Sequence, residues 1–559
     1  MAACRHRQRV VTTIATGMAT GMATGMATGM TAVRPGEDDA ARKLYEGLTD
    51  GGGERSRTAI ERVLRDNGLA IDDPRLRELD ALMQGYAQAV DIPFEAIAPA
   101  LAGANRTLLS RALTGNLVIP DFTAFCAEIA RMFEAVRDCR DGEVAAYIPQ
   151  LARADPDGFA VAVCTIDGQR FAIGDTATRY CVQSTCKPVN YAIALDRLGV
   201  DAVHRHVGRE PSGHSFNAIT LNGAGLPHNP MINAGAIMCA SLIAPEQSAA
   251  DRFDTVMQTW GALAGKGSVG FDNAVFLSER DTADRNFALA YFMRENGAFP
   301  EGTDLTATLD LYFQCCSITV DAPGMATIAA TFANGGVCPL SNDRVFTSDT
   351  TKNCLSLMAS CGLYDFSGEF AFTVGLPAKS GVSGALFITI PGVCGIAVWS
   401  PRLDALGNSV RGVEFARRLV KRFAFDGLVA TAEQTNPRRR SAEAAVDQAT
   451  YFCAAAAKGD LTELRRLVAR SIDVNLADYD GRTALHLAAS EGRADVLRYL
   501  LPLGAATDVA DRWGNTPLDD ARRNGDAASI ALLQPSKPDA VELDPGGIFP
   551  RGSIEALAY

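Results

Sequence analysis

A step of 33 residues runs through the C-terminal end of this chain. Gly459, Gly492 and Gly525 keep it, as do Gly481 and Gly514. Leu464, Leu497 and Ile530 repeat the same step, and so do Leu467, Leu500 and Leu533. A unit this short leaves an apolar face that only a neighbouring unit can cover, so the repeats must stack into a body of their own. The whole chain has 559 residues, beyond the roughly 250–300 at which a single core stops growing, so further domains must precede the array.

The period, together with "DGRTALHLAA" and "WGNTPLDDA", matches the turn-and-helix signature of ankyrin repeats. Residues 448–535 read as an all-α array of about two full repeats, with 536–559 as a tail. Its concave face offers a surface to a protein partner. Packing within the array or against the preceding domain is the equal alternative. Upstream, "EQTNPRRRSAE" is polar, basic and proline-containing, so 429–447 reads as a linker.

The first 36 residues hold four arginines, no acidic residue and a repeated TGMA unit. That composition suits an organelle transit peptide or an unstructured extension. Residues 37–142 place apolar side chains at helical intervals in "AIERVLRDNGLAI", "RLRELDALMQGYAQAV" and "FTAFCAEIARMF", with Pro74 and Pro120 marking helix starts. The stretch from Asp66 to Arg77 has the outline of a calcium loop. Ile71 stands where that loop needs glycine and Arg77 where it needs a bidentate glutamate, so no calcium is expected.

Residues 143–428 change character. Short β-rich runs, "FAVAVCTIDGQRFAIG" and "ALFITIPGVCGIAVW", flank a long, mostly helical middle rich in Gly and Asn. Strands at both ends around helices predict an α+β domain whose sheet is closed by distant segments. The run 384–399 is too short to span a bilayer and is split by Pro391-Gly392. A net charge of −12 argues against nucleic acid and anionic membranes as partners. The 14 cysteines are scattered and the six histidines form no ligand set, so we expect a reduced compartment and no metal.

Chemistry enters at "CVQSTCKPV". The chain has eight lysines and one S-x-x-K, formed by Ser184 and Lys187. At a helix start that spacing puts both side chains on one side, with Pro188 tolerated in the first turn. A buried lysine can lose its proton and act as a base towards the serine, which arginine cannot. A surface helix turn is the plain alternative. A second element, Lys379-Ser380-Gly381, opens the strand pair 384–399, as the K-T-G motif does in serine β-lactamases and penicillin-binding proteins.

Further segments carry a closer likeness: "CTIDGQRFAIGDT", "QSTCKPVNYAIA", "VGREPSG", "PHNPMINAGAI", "SERDTADRNFALAYF", "LDLYFQCCSI", "SLMASCGLYDFSGEFAF" and "VGLPAKSGVSGALF". Together they resemble the serine-dependent glutaminases of the β-lactamase-like class. The order of parts resembles the long kidney- and liver-type enzymes, with their EF-hand-like N-terminal region and C-terminal ankyrin repeats. The resemblance implies a multidomain fold: a β-lactamase/penicillin-binding-protein-like α+β core at 143–428, an all-α N-terminal region and all-α repeats.

It implies hydrolysis of L-glutamine to L-glutamate and ammonia without a cofactor. Ser184 would be the nucleophile and Lys187 its base. Tyr364 would relay protons to the leaving ammonia and from the deacylating water. The N–H groups of Ser184 and Val382 would form the oxyanion hole. The amino-acid head group would be held by Tyr147, Gln183, Asn233, Glu279, Asn286 and Tyr312. Read singly, these last are a helix-cap partner (Glu279), turn residues (the two asparagines) and core aromatics. The resemblance further implies a homotetramer, mitochondrial in a eukaryote and cytoplasmic in a bacterium. Ala218 and Thr220 depart from the kidney-type pattern, which has a lysine and a phenylalanine there, so phosphate activation and filament formation do not carry over. Two rivals stay open at this point, a β-lactam-directed acyl-transferase and an inactive ankyrin scaffold.

Overall fold

The strands of the central region alternate small and large apolar residues, and the sheet they form is buried on both faces. In the computed structural model, which describes residues 35–49, 54–103, 106–267, 269–425, 434–438, 441–469 and 472–534, five strands build it. They are β1 (Ala160–Thr165), β2 (Arg170–Gly174), β3 (Ala378–Ser380), β4 (Ala385–Ile390) and β5 (Cys394–Trp399). Their spatial order is β2-β1-β5-β4-β3, antiparallel throughout. Ala160 lies opposite Trp399 and Thr165 opposite Cys394, so the sheet is closed by the two ends of the domain. The basic extension through Arg34 and the tail from Pro535 lie outside the described residues.

Val161, Val163, Ile388, Ile396 and Val398 face one side, against helices α1 (Phe122–Arg137) and, late in the chain, Val410–Arg422. Ala160, Ala162, Phe387 and Ala397 face the other, where the helical middle packs. The helices there that matter below are α2 (Cys186–Leu198), α3 (Asn233–Leu242), α4 (Asn273–Asp281), α5 (Leu305–Cys316), α6 (Ala322–Ala333) and α7 (Ser348–Cys361). Alanine-rich α6 lies against β1 and β5, and the approach is close. A Cβ on Gly395 would stand 2.2 Å from the Ala330 nitrogen and 2.5 Å from the Ala326 oxygen. Backbone cannot yield as a side-chain tip can. Gly395→Ala is therefore expected to cost about 2–3 kcal/mol, read as a fall in the thermal midpoint of the purified protein.

The N-terminal helices carry a core of their own around Ile60, Leu64, Met83, Ile97 and Leu109. Both prolines sit where the sequence predicts helix starts: Pro74 follows the cap Asp73, and Pro120 precedes Asp121, whose carboxylate caps α1 through the Ala124 N–H. Of the acidic residues in the calcium-loop outline, Asp73 pairs with Arg75 and Asp72 with Arg170, each at 2.7 Å. The region is tied to the β1–β2 turn. Arg111 grips Asp167 at 2.7 and 2.8 Å, and the buried Gln169 donates to the carbonyls of Asn67 and Ile119.

At the C-terminal end the array holds three helix pairs where the sequence suggests about two: Ser441–Lys458 with Leu461–Ala469, Ala484–Ser490 with Ala494–Leu500, and Pro517–Asn524 with Ala527–Leu533. The first pair lacks the Thr-Pro-Leu-His turn and so is hard to see in the sequence. The first helix also begins within the stretch read as linker. One core runs through the array, from Phe452 through Leu485 and Leu497 to Leu533. His486 shows why the motif wants histidine: Nδ1 accepts from the Thr483 N–H, and Nε2 donates to the Asn515 carbonyl of the next turn, at 3.1 Å each. No described helix is long and apolar enough to cross a membrane.

Candidate active site

Ser184 sits in a single 3-10 turn, Gln183–Thr185, that runs directly into α2. The turn is entered through Gln183, whose φ of 48° is left-handed and unusual for a side chain of that size. Such strain costs about 1–3 kcal/mol and persists where the surroundings impose it. It sets Ser184 beside Lys187: Nζ donates to Oγ at 2.6 Å. Lys187 is fully buried. Burial pushes its amine below the ordinary lysine value, a shift that nearby Cys316, Cys186 and Glu279 oppose. The second donor of the amine goes to Asn233 Oδ1 at 2.9 Å. The S-x-x-K is thus not a surface turn. It is a buried hydroxyl–amine pair.

Around the pair lie two hydrogen-bonded groups from distant segments. Asn233, at the first position of α3, donates from Nδ2 to Asn286 Oδ1 at 3.2 Å and accepts from the Tyr312 hydroxyl of α5 at 3.4 Å. Glu279, near the end of α4, accepts through Oε1 from the Tyr147 hydroxyl at 2.6 Å and from Gln183 Nε2 at 3.0 Å. Burial raises the Glu279 carboxyl above its ordinary value, against the pull of those two donors. The Tyr147 ring is half exposed while its hydroxyl turns inward onto Glu279. Burial and that carboxylate hold the phenol well above its ordinary value.

Tyr364 stands on a second left-handed residue, φ 53°. Its ring lies 4.5 Å from Phe216, and its buried hydroxyl has no hydrogen-bond partner of good geometry. Burial raises this phenol too, and Ser184 is the neighbour that pulls it back. Val382 lies in the turn between β3 and β4. There Gly381 N–H bonds the Ala385 carbonyl, while among the described residues nothing accepts the N–H of Val382 or of Ser184. A Cβ on Gly381 would lie 3.5 Å from the Thr185 nitrogen and 2.9 Å from the Val182 oxygen, so this turn rests on the nucleophile's own turn.

All the positions named from the sequence thus belong to one neighbourhood. The structure brings one more residue into it, to which the sequence alone assigns no role. Lys379 is fully buried, with Nζ 4.4 Å from the centroid of the Tyr364 ring. Its signal was the K-S-G triplet. Two of the histidines are engaged elsewhere: His204 is held between the Tyr191 hydroxyl and the Val207 carbonyl, and His206 reaches the Ala298 carbonyl. Among the described residues no cluster could hold a metal ion.

The chain is similar to known proteins over these regions. The family model described as Glutaminase matches residues 142–427, and one for ankyrin repeats, in three copies, matches 452–542. The mitochondrial liver isoform of glutaminase from Rattus norvegicus is 45% identical over 435 residues, covering 77% of this chain and 72% of the rat protein. A glutaminase of Nostoc sp. is 43% identical over 284 residues, 51% of this chain and 84% of its own. A solved structure described as a probable glutaminase, ybaS, superposes with a TM-score of 0.53 at 35% identity, covering 55% of this chain and 98% of that one.

Proposed function

Since this chain belongs to the glutaminase family and hydrolyses L-glutamine to L-glutamate and ammonia, we propose that the reaction runs through a glutamyl ester on Ser184, formed with Lys187 as base. The observation that carries this reading is the 2.6 Å contact between a buried lysine amine and the serine hydroxyl. Neutral, the amine takes the hydroxyl proton while Oγ attacks the side-chain carbonyl carbon of glutamine. The tetrahedral oxyanion is met by the N–H groups of Ser184 and Val382, donors worth about 3–4 kcal/mol each in comparable sites.

Collapse breaks the C–N bond. The proton passes to the leaving nitrogen through Tyr364, and ammonia departs. Tyr364 and Lys187 then take a proton from the water that attacks the ester, which frees glutamate and restores Ser184. Phenols and amides suit the rest of the substrate. Asn286, Tyr312 and Asn233 offer neutral donors to its α-carboxylate, and Glu279 offers a carboxylate charge to its α-ammonium. Tyr147 and Gln183 hold that carboxylate in place. Since Glu279 is already bridged by both, replacing it should weaken binding more than chemistry. Glu279→Gln is expected to raise KM by about 100-fold with a smaller change in kcat, measured as ammonia release across glutamine concentrations. Because burial lifts the Glu279 carboxyl, wild-type KM should already rise at a higher pH, on acidification, than an ordinary carboxylate would dictate.

The likeness to a glutaminase named as mitochondrial and the acid-free N-terminal segment support import into mitochondria if the source is eukaryotic. N-terminal sequencing of the mature protein tests that. A homotetramer and a protein partner at the ankyrin array complete the reading, with light scattering as the check on the first. The β-lactam rival predicts turnover of a chromogenic β-lactam, and we expect none.

A further inference from the structure

We propose that Lys379 is a positioning residue of this reaction, the group that fixes the Tyr364 ring so that its hydroxyl serves Ser184. The proposal rests on the reading of Tyr364 as the proton relay. Of the chain's eight lysines, Lys187 and Lys379 are the two found fully buried among the described residues. Lys187 has the serine and Asn233 as partners. Lys379 has no carboxylate within ion-pair distance among the described residues, and its one hydrogen bond goes to the Ser380 carbonyl, at 2.8 Å. Burying an amine without a carboxylate is a liability to the fold, so a structural role explains it poorly.

What the amine does meet is the face of the Tyr364 ring, at 4.4 Å. The negative face of an aromatic ring attracts an ammonium, and a neutral amine can still turn an N–H towards it. The hold matters because the polar end of Tyr364 has Ser184 as a neighbour but, among the described residues, no hydrogen bond of good geometry. Its backbone is left-handed. Phe216 touches the ring at 4.5 Å, so the phenol is gripped by its ring alone.

The strand that carries Lys379 is built onto the turn that carries Tyr364. Ser380 N–H donates to the Gly362 carbonyl at 3.2 Å. A Cβ on Gly362 would stand 1.8 Å from the Ala378 carbonyl oxygen, so β3 passes too close for any other residue at that point. Lys379 itself is opposite Phe387 of β4, which fixes its place in the sheet. The sheet edge thus aims the amine, and the amine aims the phenol. Burial and the charge of Lys187 both push the Lys379 amine well below its ordinary value. The two amines therefore resist being protonated together.

The test is a double-mutant cycle on the full chain with glutamine as substrate. Methionine has nearly the length of lysine and no donor. Lys379→Met is expected to lower kcat by roughly 30-fold, with KM within about threefold of wild type. If Lys379 acts through Tyr364, the double variant with Tyr364→Phe should be no slower than Tyr364→Phe alone. A Lys379→Met enzyme with kcat within about threefold of wild type, or losses that multiply in the double variant, would overturn the proposal. Should the methionine variant fail to fold, Lys379→Gln runs through the same cycle and is judged by the same two outcomes. A slow Tyr364→Phe beside a fast Lys379→Met sinks this proposal alone. A fast Tyr364→Phe sinks the relay role of Tyr364, and this proposal with it.

Discussion

Ser184→Ala is expected to lose about 10⁵–10⁶-fold in kcat, the scale seen when a serine nucleophile is removed from a working acyl-transfer site. The loss should be confined to chemistry. Alanine removes only Oγ, and the turn that carries it is held by backbone bonds: Thr185 N–H to the Val182 carbonyl and Val182 N–H to the Ile318 carbonyl. The neighbours that would bind the head group, Glu279 with Tyr147 and Gln183, make no contact with that oxygen among their described hydrogen bonds. The variant should therefore still bind glutamate as the wild-type protein does. Intact-mass spectrometry after rapid quenching gives the second readout. The wild-type protein should carry a glutamyl adduct during turnover and the variant none. An alanine enzyme of near-normal rate would remove the covalent mechanism altogether.

How far the site could be read from sequence depended on the distance between its parts. Ser184 and Lys187 are one helical turn apart, so local geometry sufficed to pair them. The contacts among Tyr147, Gln183 and Glu279, and those among Asn233, Asn286 and Tyr312, join segments of the chain that no period or spacing connects. They were accessible only through resemblance to a family. The same division holds for the fold. The hairpin at 385–399 announced itself by two apolar runs around Pro391-Gly392, and a sheet closed by the two ends of the domain, seen in the inner pairing of β1 with β5, was expected from where the apolar runs lie. The small sheet of Tyr180–Cys181, Ile318–Val320 and Gly270–Phe271 was illegible, because strands of two or three residues are too short for any alternation to show. Lys379 illustrates a third limit. Its triplet was visible, but whether a lysine lies in solvent or under a tyrosine ring is decided by packing, which a single sequence does not display.

Lys187 gives the second large effect. Lys187→Met should fold well, since it replaces a fully buried amine by an apolar chain of like length and relieves the cost of burying a polar group. It should nonetheless lose about 10³–10⁴-fold in kcat, the upper range for removing a general base. Lys187→Arg should be no better, because a guanidinium keeps its proton at every pH the protein survives. The sign of the pH dependence separates a base from a mere charge. Burial lowers the pKa of this amine, so the neutral, active form is present at lower pH than for an exposed lysine. In the wild-type protein kcat/KM should fall as pH drops through that lowered value, and the fall should be absent from the residual activity of Lys187→Met. If Lys187 worked as a cation towards the oxyanion, the order would reverse: activity would rise as the amine became protonated, and arginine would rescue it. The base reading is supported by the 2.6 Å approach of the amine nitrogen to the serine oxygen, from which a neutral amine can accept the hydroxyl proton, and by the N–H groups of Ser184 and Val382, which have no acceptor among the described residues and would serve the oxyanion.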